Sequence, residues 1–202
     1  MGAALGKRWA SNGHQVMFSY STDVAKLQTL AQFNEHTQTG TVAEAAAFGE
    51  VIMLAVPPTS LAEVLANPEP FANKVLLSCV SGLRPDFTGN AVGLPTDLTQ
   101  SMAEQIAQQL PDTRVVEAFN ITFAQLIDEQ TFSDQQASVF YCSDHADVKE
   151  TVHSLIHDAG YVPVNAGPLF TARSLETLAS AWVQFAVVSG MFPRLGIHAL
   201  KG

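Results

Sequence analysis

Short apolar stretches alternate with segments of helical periodicity from the first residues onward. The segment "GAALGKRWAS" carries small and apolar residues at helical spacing, and the next residues, 15–20, alternate before turning apolar. This pattern predicts a helix followed by a strand. A helix near residues 23–33, a strand near 37–39 and a helix near 42–48 continue it. The segment "EVIMLAVPP" has the unbroken apolar character of a strand buried on both faces of a parallel sheet.

The rest of the chain repeats this order. The periodicity predicts helices near residues 60–65, 99–110, 146–159 and 172–188, and strands at "NKVLLSCVSG", "TRVVEAFN", "ASVFYCS" and "YVPVNAG". Residues 85–95 are rich in Gly and Pro and predict a loop. Alternating strands and helices indicate an α/β fold, a parallel sheet with helices on both faces. Because no repeat or linker divides the chain, we expect one domain over residues 1–202, with 160–202 as its C-terminal extension.

Composition narrows the class of protein. Hydrophobic residues make up 47% of the chain, and ten basic against nineteen acidic residues give a formal charge of -9. The few basic residues are scattered, so we expect no nucleic-acid partner. The apolar stretches are too short to cross a bilayer and no leader follows Met1, so we expect a soluble, cytoplasmic protein without a membrane partner. Cys79 and Cys142 have no Cys or His at metal spacing, which predicts two buried thiols and no metal site.

The opening helix has the features of a helix that faces a dinucleotide. In a doubly wound sheet, the first strand feeds a glycine-rich turn, and the next helix directs its positive N-terminus at the pyrophosphate. The third glycine of that turn lies at the helix start, where the missing side chain allows close packing on the sheet, and Gly2 fits this position. Small-residue helices also occur in α/β proteins that bind no nucleotide. This stretch alone leaves both interpretations open.

The end of the next strand distinguishes NAD from NADP. An NAD site has a carboxylate that accepts hydrogen bonds from the ribose hydroxyls, whereas a 2′-phosphate is bound by donors and positive charge. This strand ends in Ser19, Tyr20, Ser21 and Thr22, and Lys26 follows one turn into the next helix. Asp23 could accept from the ribose or cap the helix that carries Lys26, and we favour the cap. The residues therefore favour NADP.

The strand that should precede the opening helix is absent from the sequence, together with the first two glycines of the turn. In the usual order that strand is central, so we expect a gap in the sheet rather than a shorter edge. Its loss removes about four large buried side chains, each stabilising by about 1.5 to 3 kcal/mol, and much of the backbone cradle for the pyrophosphate. Either the natural protein begins upstream and Met1 is an internal methionine, which we favour, or another segment fills the position.

Three segments, "AVPP", "EAFN" and "NAGPLFTARSLETLASAW", lie in an order that resembles the family of NADPH-dependent coenzyme F420 (8-hydroxy-5-deazaflavin) oxidoreductases. The resemblance covers essentially the whole chain, through the C-terminal "GMFPRLGIHALK". It implies a Rossmann-type doubly wound parallel sheet with a small C-terminal helical extension. It also implies hydride transfer between the nicotinamide of NADP and a deazaflavin (coenzyme F420) or flavin-like ring.

The resemblance also implies roles for individual positions. Gly2 resembles the last glycine of the phosphate turn, and the positions of Ser21, Thr22 and Lys26 hold the 2′-phosphate. Family members often have Arg where Thr22 stands, and this departure weakens the NADP preference. The loop against the nicotinamide ribose is resembled by Ala55, Val56 and Pro57. The positions that line the pocket of the second cofactor in the family are those of Ser81, Gly82, Asn120, Thr122 and Met191.

Direct hydride transfer needs two stacked rings and no acid, base or metal, so we expect no catalytic side chain.

Several polar residues have two possible roles. Asn120 could bond a ring carbonyl or cap the helix that begins near Thr122. Arg84 and Arg173 could meet a phosphate, although solvation or an ion pair is the expected role. The two histidines of "TVHSLIHD" lack a third ligand at matching spacing, which favours a solvated helix face over a metal site.

Three classes of function stay open. The first is the NADP-dependent oxidoreductase that uses a deazaflavin or flavin. The second is a reductase of the same fold that acts directly on a small imine or ketone, which would require a general acid. The third is a non-catalytic NADP sensor. The apolar segment 178–191 predicts a homodimer through the C-terminal helix.

Overall fold

The computed structural model describes residues 1–21, 23–82, 99–129 and 135–200. These residues form the following seven strands and eight α-helices. The strands are β1 (Val16–Phe18), β2 (Thr37–Thr39), β3 (Val51–Leu54), β4 (Val75–Ser78), β5 (Arg114–Ala118), β6 (Ser138–Cys142) and β7 (Val162–Asn165). The helices are α1 (Gly2–Ser11), α2 (Val24–Ala31), α3 (Val42–Phe48), α4 (Leu61–Val64), α5 (Met102–Gln109), α6 (Ala124–Glu129), α7 (Lys149–Asp158) and α8 (Ala172–Val188).

The strands form two sheets with a break between them. β1 and β2 pair in parallel, and a second sheet has the order β3-β4-β5-β6-β7. In the ranges given above, no strand joins β1 to β3. We call the space between these two strands the strand gap. It lies where the sequence predicts that the central strand of a doubly wound sheet is missing.

The direction of the last two strands corrects the expected all-parallel sheet. β3, β4 and β5 are parallel, but β6 is antiparallel to β5, with Glu117 opposite Cys142, and β7 is parallel to β6. Two antiparallel neighbours place the end of one strand and the start of the next at the same edge of the sheet. The connection through α6, which has six residues, is therefore not a crossover between parallel strands.

Helices cover both faces of the larger sheet. Leu76 and Leu77 are consecutive in β4 and point to opposite faces, as alternation along a strand requires. Leu77 packs with apolar side chains of α1, α6 and α7. Leu76 packs with those of α3, α4, α5 and the start of α8. Because both faces are covered, the strands of this sheet are apolar nearly throughout.

α1 ends in a motif that fixes the path into β1. Gly13 has φ 89°, its N–H donates to the Ala10 carbonyl at 3.1 Å, and the His14 N–H donates to the Trp9 carbonyl at 3.1 Å. These two bonds form a Schellman motif, and the positive φ suits glycine. The His14 ring also lies 2.8 Å from the Asp158 carboxylate at the end of α7. The end of α1 is thus held against α7.

Several smaller predictions can be compared with the structure. α3 and α8 have the predicted bounds, and Gly160, with φ 91°, follows α7 as expected. Both cysteines are free thiols, and Cys142 is fully buried in β6. The predicted loop at 85–95 lies outside the described residues. None of the helices in the described ranges combines the length and apolar character that a membrane span requires.

Candidate functional site

The N-terminus of α1 lies at the edge of the sheet where β3 ends. A Cβ atom on Gly2 would be 3.3 Å from the Cβ of Ala55, the residue that follows β3, so a side chain there would crowd the sheet. No side chain caps α1, and its first backbone bond is from the Leu5 N–H to the Met1 carbonyl, at 3.1 Å. The first turn of α1 therefore presents N–H groups and the positive end of the helix dipole at the break in the sheet.

A cavity of about 610 Å³ occupies this break, and we call it the first cavity. It extends from the mouth formed by the ends of β1 and β3 down through the strand gap. At the mouth it brings together six of the residues predicted to bind a nucleotide. These are Gly2, Ser19, Ser21, Lys26, Ala55 and Val56. Pro57 does not line this cavity but precedes the short 3-10 helix at residues 58–60, and Thr22 lies outside the described residues.

The chain turns sharply at the end of β1. Tyr20 has φ 53°, a left-handed conformation that a bulky residue adopts at a cost of about 1 to 2 kcal/mol. Its hydroxyl donates to the carboxylate of Glu63 in α4, at 2.9 Å. Backbone strain of this kind concentrates at functional sites. The sequence shows no sign of it, since glycine is the residue that usually marks a positive φ.

Asp23 caps α2, as predicted. Its Oδ1 accepts from the Lys26 N–H at 3.2 Å, and the Ser21 hydroxyl accepts from the Asp23 N–H at 3.1 Å. The carboxylate is therefore engaged with the helix that carries Lys26. The exposed Lys26 side chain lines the mouth of the first cavity and supplies positive charge there.

A second cavity, of about 320 Å³, lies between α8 and the segment that joins β5 to α6. It is lined mostly by apolar and aromatic side chains, with Asn120 and Thr122 among its polar members. Phe123 and Phe192 meet edge to face at one wall, with ring centroids 5.1 Å apart. Within the described part of the chain, neither atom of the buried Asn120 amide group has a hydrogen-bond partner. Asn120 therefore does not cap α6, and its amide is available to a ligand.

Three other predicted residues line neither cavity. Met191 follows α8 and is 45% exposed. Ser81 and Gly82 follow β4 and are partly exposed. The structure thus divides the predicted set, with six of the nucleotide positions at the first cavity and Asn120 and Thr122 at the second.

The alternative roles of the charged residues are also settled where the chain is described. Arg173 forms an ion pair with Glu104 at 2.6 Å, whereas Arg84 lies outside the described residues. His157 is exposed and lies 3.4 Å from Asp158. His153 was expected on a solvated face, but its ring packs edge to face on Tyr141, with centroids 5.4 Å apart. Among the residues described, no three potential ligands gather to hold a metal.

One feature of the interior was missed in the sequence. Glu117 in β5 and Glu176 in α8 are both fully buried and interact with each other. Burial is the main reason that the pKa of Glu117 is raised well above its usual value and that of Glu176 to about 7. The Ala103 N–H donates to Glu176 at 3.2 Å. The available signal was a lone Glu inside the apolar strand "TRVVEAFN".

Part of the chain is similar in sequence to two metalloreductases. Human metalloreductase STEAP2 is 29% identical and rat metalloreductase STEAP3 33% identical, each over 79 residues, or 39% of this chain. The matched part spans only 16% of the length of these relatives.

Solved structures share the fold over nearly the whole chain. A candidate F420-dependent NADP reductase from Arthrobacter sp. FB24 has a TM-score of 0.86 and 23% identity, covering 99% of this chain and 95% of that one. A reductive aminase from Aspergillus terreus, in complex with NADPH and ethyl-5-oxohexanoate, has a TM-score of 0.68 and 17% identity, covering 94% and 59%. These similarities show a Rossmann-type α/β fold.

The family match comes from the N-terminal part of the chain. Residues 1–82 match the family model described as NADP oxidoreductase, coenzyme F420-dependent. This segment includes α1, the end of β1 and the β3–Ala55 junction, which form the first cavity. The predicted resemblance to the coenzyme F420-dependent NADP oxidoreductases is therefore confirmed over residues 1–82.

Proposed function

We propose that this protein is an NADP-dependent oxidoreductase that transfers a hydride between NADP(H) and a deazaflavin, such as coenzyme F420, or a flavin-like acceptor. One observation carries the proposal. The uncapped N-terminus of α1, the hydroxyls at the end of β1, Lys26 and the end of β3 converge on the mouth of one cavity. The family match over residues 1–82 and the NADPH bound to the similar reductive aminase support the same assignment.

The mouth of the first cavity suits the charged parts of NADP. The pyrophosphate fits at the N-terminus of α1, where backbone N–H groups and the helix dipole favour an anion and where the missing side chain of Gly2 lets the helix start close to Ala55. The 2′-phosphate can accept hydrogen bonds from Ser19, Ser21 and Lys26. The Asp23 carboxylate caps α2 and is therefore not the ribose acceptor that an NAD site has. Ala55 and Val56 would then lie against the nicotinamide ribose.

The second cavity suits a flat ring that accepts or gives a hydride. Trp182 and Phe192 provide apolar surface, and the Asn120 amide can pair with a ring carbonyl or a carboxamide. When bound, the nicotinamide supplies or accepts the hydride, and the chain has only to hold the two rings in register and exclude water. None of the described residues that line the second cavity carries an ionisable side chain. This favours direct hydride transfer over the reduction of an imine or ketone, which requires a general acid.

A homodimer through α8 and a cytoplasmic location belong to the same proposal. The C-terminal end of α8 and the residues after it expose Phe185, Val188, Met191 and Phe192. Apolar side chains grouped in this way usually mark an interaction surface.

Nucleotide binding and turnover are measured separately to test the function. NADPH and NADH are titrated while intrinsic fluorescence is followed, and NADPH oxidation is then measured with F420, FMN, a ferric chelate and a small cyclic imine. We expect saturable binding with NADPH preferred, and turnover with F420 or FMN. Turnover with the imine alone would support the direct reductase, and binding without turnover would support the sensor. Failure of both nucleotides to bind would overturn the proposal.

A further inference from the structure

Two side chains meet across the mouth of the first cavity. Tyr20 follows β1, on one side of the strand gap, and Glu63 lies in α4, which follows β3 on the other side. The Tyr20 hydroxyl donates to the Glu63 carboxylate at 2.9 Å, although the two residues are 43 positions apart. The tyrosine side chain therefore reaches from the end of β1 to the elements that follow β3.

The ring of Tyr20 is held in place at the cavity. It is partly buried and packs against the apolar cluster that includes Leu61 and Val64 of α4, and it lines the first cavity together with Val56. The left-handed backbone, with φ 53°, fixes one end of the side chain, and the bond to Glu63 fixes the other. A flat aromatic surface that is held at both ends is preorganised for a ring to stack on it.

The Glu63 carboxylate can accept more hydrogen bonds than it does. The residue is exposed, and within the described residues the Tyr20 hydroxyl is the one hydrogen-bond partner of its side chain, at Oε2. An ionised carboxylate accepts about four hydrogen bonds and donates none. Oε1 can therefore accept from a ligand that carries a donor, and it repels one that carries an acceptor.

The residues at the end of β1 extend in two directions. The Ser21 hydroxyl accepts from the Asp23 N–H at 3.1 Å, at the start of the helix that carries Lys26. The Tyr20 ring extends instead toward Glu63 in α4. In the proposed function, on which this inference rests, Ser21 and Lys26 hold the 2′-phosphate of NADP. Because the base is attached to the neighbouring carbon of the same ribose, it lies beside that phosphate, within reach of the Tyr20 ring.

We propose that Tyr20 and Glu63 bind the base of NADP and select adenine. The base stacks on the Tyr20 ring, and Glu63 Oε1 accepts a hydrogen bond from the 6-amino group. Stacking on an aromatic side chain holds any flat base. The hydrogen bond to the amino group distinguishes adenine from a base with a carbonyl at the same position, because a carboxylate cannot donate. Tyr20 thus supplies affinity, and Glu63 supplies specificity for the base.

A nucleotide with hypoxanthine in place of adenine tests this selection. It differs from NADPH in carrying a carbonyl instead of the 6-amino group, so its phosphates and their charges are unchanged. Isothermal titration calorimetry measures the Kd of both nucleotides for the parent protein. We expect the Kd of the hypoxanthine nucleotide to be higher by about tenfold or more, because its carbonyl would face the Glu63 carboxylate without a proton between them.

The variant Glu63→Gln tests the residue that reads the base. Its side-chain carbonyl can still accept from the Tyr20 hydroxyl, while its amide N–H₂ can donate to the carbonyl of hypoxanthine. The Kd of the hypoxanthine nucleotide divided by that of NADPH should then fall to about one or below. Glu69→Gln is the matched control, because it removes one exposed carboxylate from the 3-10 helix at residues 69–71 and should keep the ratio of the parent.

The variant Tyr20→Gly tests the stacking surface. Glycine adopts φ 53° without strain, so we expect this chain to fold. Loss of the ring should raise the Kd of NADPH by about tenfold. Reduced nicotinamide mononucleotide has no adenosine and is the control ligand, so its Kd should be the same for the parent and for Tyr20→Gly.

Three results would overturn the inference and leave the proposed function intact. The first is a parent protein that binds NADPH and the hypoxanthine nucleotide equally well, and the second is a Glu63→Gln variant that keeps the ratio of the parent. The third is a Tyr20→Gly variant that binds NADPH as the parent does. A parent protein that does not bind NADPH would overturn the proposed function and this inference with it. The comparison of the two nucleotides on the parent decides the question even if a variant does not fold.

Discussion

Arg173 of α8 forms a two-point ion pair with Glu104 of α5, from Nε to Oε2 at 2.8 Å and from Nη2 to Oε1 at 2.6 Å. Glu104 Oε2 also accepts from the Ser101 N–H and hydroxyl, each at 2.8 Å, in a capping box at the start of α5. Hydrogen bonding to Arg173 is the main cause that lowers the pKa of Glu104 to about 2. Arg173 therefore joins two helices and is not available to a phosphate.

The ion pair predicts a loss of stability at low pH. A carboxyl with a lowered pKa stabilises the fold above its unfolded value, near 4.5, and this contribution disappears as the pH falls toward 2. Because the pair is partly exposed, Arg173→Gln should lower the free energy of unfolding at pH 7 by about 1 kcal/mol. Urea unfolding at pH 7 and pH 2 measures this, with Lys149→Gln on the exposed surface as the control. An equal effect of Arg173→Gln at both pH values would contradict the assignment.

The buried pair Glu117 and Glu176 predicts the opposite pH dependence. Both pKa values are raised, mainly by burial, so the folded state keeps protons that the unfolded state loses above about pH 4.5. Stability should then fall as the pH rises from about 4.5 to 7, by about 1.4 kcal/mol per pH unit for each proton kept. Glu176→Gln should flatten this slope and make the protein more stable than the parent at pH 8. Thermal unfolding from pH 5 to 8 measures it, and an unchanged slope would exclude the pair as its source.

Close packing of α1 on β1 predicts that Gly6 tolerates no side chain. A Cβ at this position would lie 2.3 Å from Cε1 and 2.7 Å from Cζ of Phe18. Gly6→Ala should therefore destabilise the protein by about 1 to 3 kcal/mol, although alanine is the better helix former. Phe18→Leu in the same chain should recover part of the loss, because leucine leaves room for the new methyl group. A stabilising Gly6→Ala, measured by urea unfolding, would show that the contact is not tight.

The position of Lys26 predicts its effect on cofactor choice. If its ammonium group pairs with the 2′-phosphate at an exposed site, Lys26→Ala should raise the Kd for NADPH about fivefold, equivalent to about 1 kcal/mol, and leave that for NADH unchanged. Fluorescence titration of both nucleotides measures the ratio, with Lys149→Ala as the matched loss of one charge elsewhere. Equal weakening for NADPH and NADH would remove Lys26 from the specificity of the site.

The apolar end of α8 predicts the effect of one charge on assembly. Val188 is 70% exposed and Phe185 54%. If the homodimer forms through this surface, Val188→Glu should convert it to a monomer, because an unpaired charge is costly to bury. Light scattering at micromolar concentration distinguishes the two states. A monomeric parent protein would exclude the dimer.

Predictions from the sequence succeeded where structure depends on near neighbours. The bounds of α3 follow from its apolar spacing and from the Thr41 and Glu44 capping box at its start. The cap by Asp23 and the turn at Gly13 likewise involve residues within one or two helical turns. Even the strand gap was expected from the chain order, because an opening helix of this type follows a central strand.

Contacts between distant residues decided the rest. The antiparallel pairing of β6 with β5, the hydrogen bond from Tyr20 to Glu63, and the packing of Glu117 in β5 with Glu176 in α8 all join residues that are far apart in the sequence. Periodicity reports which face of an element is apolar but not which partner covers it. The sequence by itself thus determined the order and type of elements and the residues at the mouth of the first cavity. Only the tertiary structure decided which edges of β1 and β3 face the strand gap. The reason is that β2 pairs with one edge of β1 and β4 with one edge of β3, which leaves the other edge of each strand toward the gap.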